Sequence, residues 1–454
     1  SRVEFSYLDR YLLSGIIRRD TSSNFGPNNA SAWFPSLTAG WIMTEEDFIG
    51  TSDFINFAKL RGSYGQLGND QIGNFLFLSR LNGEATYVFG EDQSLTEGQA
   101  LGPLDNPNIK WEISTKLDLG LDLEFLNRDL RVTFDYYRNE REDLLIPSIP
   151  TSGIFGTSAP GSLAPTINAG TVVNKGIELS LNYSKEVNDD FSFSLNYNLS
   201  TVDNEVTQIN GAPFLEGGQF SVGQLPPSRM EVGLPIGYFY GLKTDGIFQS
   251  QAEVEAHPSQ ALLGATARPG DIRFVDVNGD GAISQDDRTY IGDPIPDVTM
   301  GFNLSFNYKN FDFSAYSFAN LGSEIVRNFE RDQVNVNMLS RRLDRWTGPG
   351  TSSTEPRVSA GATANKLFSD YFVEDGSFLR IQTISFGYSL PTEALKTVGL
   401  TSVKIYAKVD NAFTFTEYSG YDPTASTGAP IGGGIDLGFY PLPRTYTLGL
   451  NVKL

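Results

Sequence analysis

FSFSLNYNLS, residues 191–200, is the stretch on which the fold turns. Phe191, Phe193, Leu195, Tyr197 and Leu199 alternate with Ser192, Ser194, Asn196 and Asn198. A period of two places the apolar set on one face of an extended strand and the polar set on the other. The pattern recurs in KLDLGLDLEF (116–125), GIELSLNYS (176–184) and GFNLSFNY (301–308), and again at the end in Tyr446, Leu448, Leu450, Val452 and Leu454.

Extending this reading predicts twelve strands, at 5–20, 31–46, 55–67, 109–122, 129–144, 171–185, 190–203, 297–307, 310–320, 378–389, 402–415 and 443–454. Several are longer than the usual five or six residues. Alternation alone fits a soluble sandwich or a membrane barrel, because both have one apolar and one polar face. The connections separate the two. Long ones (68–108, 145–170, 204–296, 321–377, 416–442) take turns with short ones (123–128, 186–189, 308–309, 390–401). An up-and-down meander sends every second connection to the same rim, so the long loops gather at one end, as in outer-membrane barrels. The expected architecture is an all-β, antiparallel transmembrane barrel wall with long extracellular loops and short periplasmic turns. With Leu454 on the periplasmic rim, 204–296 and 416–442 fall outside.

The strand contents agree with a barrel. Glu112, Lys116, Asp118, Asp122, Arg131, Asp135, Lys404, Lys408 and Asp410 fall on the polar, lumen-side face, and Trp33, Trp41, Tyr136 and Tyr183 suit an interfacial girdle. No run of about 18 apolar residues suggests a membrane helix.

Composition narrows the function. Apolar residues make up 40% and aromatics 12%, with 32 Phe and 20 Tyr, a strand-favouring mixture. The net charge of -20 argues against nucleic acid as a partner. No cysteine and a single histidine, His257, exclude thiol catalysis, disulfides and Cys/His zinc sites. His257 lies in the polar stretch EVEAHPSQA and reads as a plain solvated residue. No acid, base and nucleophile set stands out, so no enzyme is expected. The opening SRVEFSYLDR has neither Met nor signal peptide, which suggests a processed or partial chain.

DVNGDGAISQDD, residues 276–287, has the spacing of a calcium loop. Such a loop takes oxygens at positions 1, 3, 5, 7, 9 and 12 and a glycine at 6. These are Asp276, Asn278, Asp280, the Ala282 carbonyl, Ser284 and Asp287, with Gly281 at the turn. Ile283 at the eighth position would anchor the loop. Pro269 and Gly270 before it, and Pro294 and Pro296 after it, forbid the helix pair of a sensor. A structural Ca²⁺ clip is one reading; an acidic turn held by side-chain to backbone hydrogen bonds is the other.

FGPNNASAWFPSLTAGW (25–41), KLRGSYGQLGN (59–69), NKGIELSLNY (174–183), PIGYFYGLKTDGIFQ (235–249), the stretch 270–308 and GFYPLPRTYTLGLNVKL (438–454) together resemble the SusC/RagA family of TonB-dependent outer-membrane transporters. The resemblance implies that residues 1–454 form the C-terminal part, about twelve strands, of a 22-stranded barrel, with the plug, the TonB box and the first strands upstream. It implies TonB-driven import of a bulky nutrient, an oligosaccharide or glycan or else a peptide, beneath a SusD-like surface lipoprotein. A final aromatic residue is usual in the family, whereas this chain ends in Leu454. A passive porin and a secreted calcium-stabilised binding protein are the rival readings. The loop aromatics Tyr238, Phe239, Tyr240, Tyr418 and Tyr421 are available to stack on sugars, or to pack the loops together.

Overall fold

The computed structural model describes residues 1–454 except 51, 53, 82, 101, 103, 147–164, 331–336, 392–394, 396–398, 427, 429 and 454. One antiparallel sheet dominates it. Its strands are β1 (Arg2–Tyr7), β2 (Tyr11–Thr21), β3 (Ser31–Ile42), β4 (Ile55–Asn69), β5 (Glu112–Phe125), β6 (Leu130–Glu142) and β7 (Gly170–Asn188). They continue with β8 (Phe191–Thr201), β9 (Asp203–Ile209), β10 (Val298–Tyr308), β11 (Phe311–Leu321), β12 (Phe378–Ser389), β13 (Ser402–Thr416) and β14 (Thr445–Lys453). Apart from β9, each pairs with the next in sequence, so the sheet is a plain meander. β9 instead folds back on the outer extension of β7, with Gly170 opposite Ile209 and Lys175 opposite Asp203.

Two expectations are corrected. The predicted strand at 5–20 is two strands, because Leu8 and Asp9 both take φ 52° and the Arg10 N–H donates to the Tyr7 carbonyl. Left-handed conformation at both central residues makes the tight hairpin turn that matches strand twist. Its usual Asn-Gly signature is missing, which hid it. The meander therefore has thirteen members, with β9 as a fourteenth strand, where about twelve were expected. β1 and β14 are the two ends of the sheet.

The wall is apolar on the outside. Leu119, Phe134, Ile177, Phe302, Phe386, Leu448 and Leu450 are all exposed, which in water would be an extensive exposed hydrophobic surface. At the short-turn rim, rings meet in cross-strand register. Phe191 lies opposite Tyr308, Tyr308 opposite Phe311, and Phe311 opposite Tyr388, with the Phe311 and Tyr388 centroids 4.7 Å apart. Such a belt suits the lipid–water boundary. Trp33 is exposed, and Trp41 donates from its indole to Glu46. Tyr136 sits in mid-strand rather than at a rim.

The opposite face carries paired charges. Arg61 reaches Asp118 at 2.8 Å, Asp122 at 3.2 Å and Asp135 at 2.5 Å. Asp135 is two strands away, in line with Arg61 across Gly120. A Cβ on Gly120 would collide with both the Asp135 carboxylate and the Arg61 guanidinium, so the glycine is what lets the ion pair arch over β5. The device recurs where Lys404 meets Asp312 at 2.8 Å over Gly387. Lys408 pairs with Asp410 at 2.9 Å. Lys116 and Arg131 are exposed. Glu112 departs from the lumen reading: it is buried at the head of β5 and accepts the Leu145 N–H.

Candidate functional site

The meander order puts the long connections 70–111, 143–169, 202–297, 322–377 and 417–444 on one rim. Described residues of several of them pack together there. Phe220 and Phe239 from 202–297 pack with Val326, Phe368 and Phe372 from 322–377 and Ile435 from 417–444. A second cluster joins Leu144, Ala169, Val172, Val206, Met230 and Ile431. The result is a crown with its own dry core, built from sequence-distant pieces.

The calcium-type loop is a corner of this crown. Ile283 is fully buried with Leu242, Leu263, Ile272, Phe274 and Ala364, as its place in the motif predicts. The flanks are a short strand, Ile272–Phe274, and, after one 3-10 turn, another strand, Thr289–Gly292, so no helix pair frames the loop. Asp276 accepts the Gly279 and Gly281 N–H groups at 2.7 and 2.9 Å. Asn278 accepts from Asp280 N–H, and Asp280 from Ala282 N–H, both at 2.9 Å. Asp287 is fully buried, and its two oxygens take the N–H groups of Val277, Asn278 and Ser284. Ser284 and Asp287 also form a reciprocal cap.

For a metal, the fit is therefore split. Asn278 and Asp280 are exposed and Asp276 is half-buried, whereas Asp287 is fully buried, and the oxygens of all four already accept backbone N–H groups. Among the described residues, no three acidic, His or Cys side chains converge to hold an ion.

The segment leaving the loop is held by a residue that sequence reading missed. Arg288 is buried and donates to the Pro226 carbonyl at 2.5 Å and the Tyr240 carbonyl at 2.6 Å. Burial holds its pKa below the usual guanidinium value, against the pull of Glu216. Arg229 lies between the Phe214 and Tyr240 rings, 3.8 and 3.5 Å from their centroids.

A larger charge cluster also escaped the sequence. Arg327, fully buried, contacts Glu330 at 2.7 Å and Glu374. Arg341 joins Glu374 to Glu355, and Arg342 joins Glu330 at 2.8 Å. Glu374 also accepts from the Ser419 N–H and hydroxyl, which ties the excursion 322–377 to 417–444. The members are too far apart in sequence for any spacing rule to collect them.

Of the aromatics considered for sugar stacking, Tyr238, Phe239 and Tyr418 are buried packing residues and Tyr240 is occupied by the two arginines. Tyr238 donates to Glu231 at 2.6 Å and Tyr418 to Asp436 at 2.7 Å. Burial raises the pKa of both phenols, and the hydrogen-bonded carboxylates raise it further. Tyr421 stays 71% exposed. His257 ends a six-residue helix, Gln251–Ala256, packs edge-on to Phe248 and engages the Pro258 carbonyl through Nδ1. It is half-buried.

A meander wall, apolar outside and charge-paired inside, under a crown of packed long loops defines an outer-membrane β-barrel. Residues 2–321 match the family model for the TonB dependent receptor-like β-barrel, and the chain belongs to that family. It is 36% identical over its whole length to TonB-dependent receptor P3 of Formosa agariphila and 32% identical to TonB-dependent receptor SusC of Bacteroides thetaiotaomicron. It covers 45% and 43% of those proteins, so it spans a little under half the length of these relatives. Among solved structures, the RagAB peptide transporter superposes with a TM-score of 0.80 at 23% identity, over all of this chain and 47% of that one. The SusC/RagA resemblance and the outer-membrane location thus stand. Among the described residues no helix is long and apolar enough to cross a membrane, which is silent about strands.

Proposed function

We propose that this chain is the C-terminal barrel wall and crown of a TonB-dependent importer of a bulky nutrient, an oligosaccharide or a peptide. A SusD-like surface lipoprotein caps it, and TonB drives it through the part of the polypeptide that precedes β1. The observation that carries this reading is the crown: five long connections share one rim, and three of them, 202–297, 322–377 and 417–444, share one packed core, which gives a lid a surface to close on. The curated relatives are named as receptors. In cells carrying the full-length protein, uptake of the cognate oligomer is expected to vanish on deletion of tonB and to fall when the neighbouring lipoprotein is removed. Uptake that survives tonB deletion would mean a passive pore.

A Ca²⁺ ion in 276–287 is part of the proposal. The side-chain oxygens of Asp276, Asn278 and Asp280, with the Ala282 carbonyl and Ser284, would hold it, while Asp287 braces the loop. When bound, the ion supplies charge neutralisation for a turn of clustered carboxylates. Chelation is expected to speed proteolysis at 276–287 in wild type but not in Asp276→Asn/Asp280→Asn. Equal cleavage of wild type with and without chelator would remove the ion and leave the hydrogen-bonded turn.

A further inference from the structure

Among the described residues, asparagine precedes glycine twice in the crown, at Asn210–Gly211 and at Asn278–Gly279. In such a pair the glycine nitrogen, with no Cβ crowding it, can attack the asparagine Cγ. The bond from that nitrogen to Cγ forms, the bond from Cγ to Nδ2 breaks, and the amide leaves as ammonia carrying the proton the glycine nitrogen gives up. Water then opens the resulting succinimide to aspartate or, with the main chain rerouted through the side chain, to isoaspartate. No reagent besides water is consumed.

The two pairs sit in different surroundings. At 278 every reacting atom has a partner that suits the step. The attacking Gly279 N–H donates to Asp276 Oδ1 at 2.7 Å, so a carboxylate stands within reach of the proton that must leave. The Asp280 N–H donates to Asn278 Oδ1 at 2.9 Å, closing a turn through the side chain and aiming a donor at the oxygen on which charge develops. The departing Nδ2 lies 3.3 Å from Asp280 Oδ2. Asn278, Gly279 and Asp280 are exposed, so water has access. At 210, by contrast, the side chain is half-buried and held away from reaction: Nδ2 donates to the Asn168 carbonyl at 3.0 Å, and Oδ1 accepts from Gln208 at 3.1 Å. Among the described residues no carboxylate accepts the Gly211 N–H.

We propose that Asn278 is a site of spontaneous deamidation, with Asp276 taking the proton from the Gly279 nitrogen and the Asp280 N–H holding the developing oxyanion. The product changes the calcium-type loop in one of two ways. Aspartate places a carboxylate between those of Asp276 and Asp280. Isoaspartate adds a methylene to the main chain, which moves the Gly279 and Gly281 N–H groups out of register with Asp276 and loosens the turn that anchors Ile283. The corner of the crown is therefore closed in newly made protein and opens as the protein ages.

Purified full-length protein in detergent, with chelator present so that no cation holds the Asp276 carboxylate, is aged at neutral pH. The acid and isoaspartyl forms at positions 278 and 210 are then quantified by peptide mass mapping and isoaspartyl methyltransferase labelling. Position 278 is expected to convert at least about tenfold faster than 210, because oriented reacting groups gain that and more. It should also convert faster in the folded protein than in the same protein held in urea. Asp276→Asn should slow conversion at 278 several-fold. Asp280→Ser, which removes a carboxylate and keeps the 280 N–H, should change it little. Conversion at 278 no faster than at 210, or no faster folded than in urea, would overturn the proposal; both comparisons use wild type, so they stand even where Asp276→Asn disturbs the loop. An Asp276→Asn protein that keeps its protease resistance at 276–287 and converts at the wild-type rate would overturn the role given to Asp276.

Discussion

The wall and the crown use the same residues in opposite ways. Leu448 in the wall is 82% exposed, while Phe239 in the crown is 0% exposed. An apolar side chain that stays outside needs another apolar phase, and the bilayer supplies it; one in the crown must find protein partners, because water surrounds that rim. The wall is held by a regular hydrogen-bond ladder between sequence neighbours. The crown is held by side chains brought from far apart.

The sharpest way to break the comparison is to truncate in the crown. Phe239→Ala removes a ring from the core shared by three connections and should cost about 3–5 kcal/mol of crown stability. Protease sites in 202–297 and 322–377 should open together while the barrel keeps its resistance to heat in detergent. Cleavage confined to one connection would show that the crown is not a single unit.

The matching change in the wall is Leu119→Arg, at the centre of β5 on the exposed face. A charge near the bilayer midplane should cost about 2–4 kcal/mol, read as a shifted denaturant midpoint for folding into vesicles. In the crown, arginine at the already exposed Val222 should cost nothing comparable. Equal effects at the two sites would deny that lipid surrounds the wall.

On the polar face, Gly120→Ala should cost about 1–3 kcal/mol, because the added methyl separates Arg61 from Asp135. Gly15→Ala, with nothing within reach of its Cβ, is the control and should be nearly silent. Refolding of the full-length protein would report both.

The smallest expected effect is a pH dependence at the junction of wall and crown. Burial raises the pKa of Glu324 above its ordinary 4.5, and the charges of Asp293, Asp297 and Asp375 add to the rise although the Asp293 N–H opposes it. A raised acid contributes stability that is complete below the ordinary value and is lost as the pH climbs through the folded one. Protection of amides around 293 and 324 from exchange should therefore increase on acidification across that window, and Glu324→Gln should flatten the response. Protection that falls over the same window in wild type would reverse the sign.

The two regions also differed in how far sequence alone could reach. Alternation located the wall strands within a few residues, since a period of two is written locally in stretches such as 191–200. It failed at 5–20, where Leu8 and Asp9 make a hairpin turn without its usual residues. It also placed Glu112 in the lumen when the incoming Leu145 N–H buries it. In the crown, the motif at 276–287 was legible because all its oxygens lie within twelve consecutive positions, and so was the anchoring of Ile283. Arg288 and the Arg327 cluster were not.

Sequence by itself determined the all-β meander, its inside and outside, and the sorting of long connections to one rim, because each follows from residue period and connection order. Which loop residues meet, that Tyr238 and Tyr418 are buried while Tyr421 is free, and that arginines gather in an acidic protein were decided only by the folded crown. The crown is closed by contacts between separate connections, as where Phe220 meets Phe368 and Phe372, and such pairings are set by how packed surfaces fit, not by any pattern along the chain.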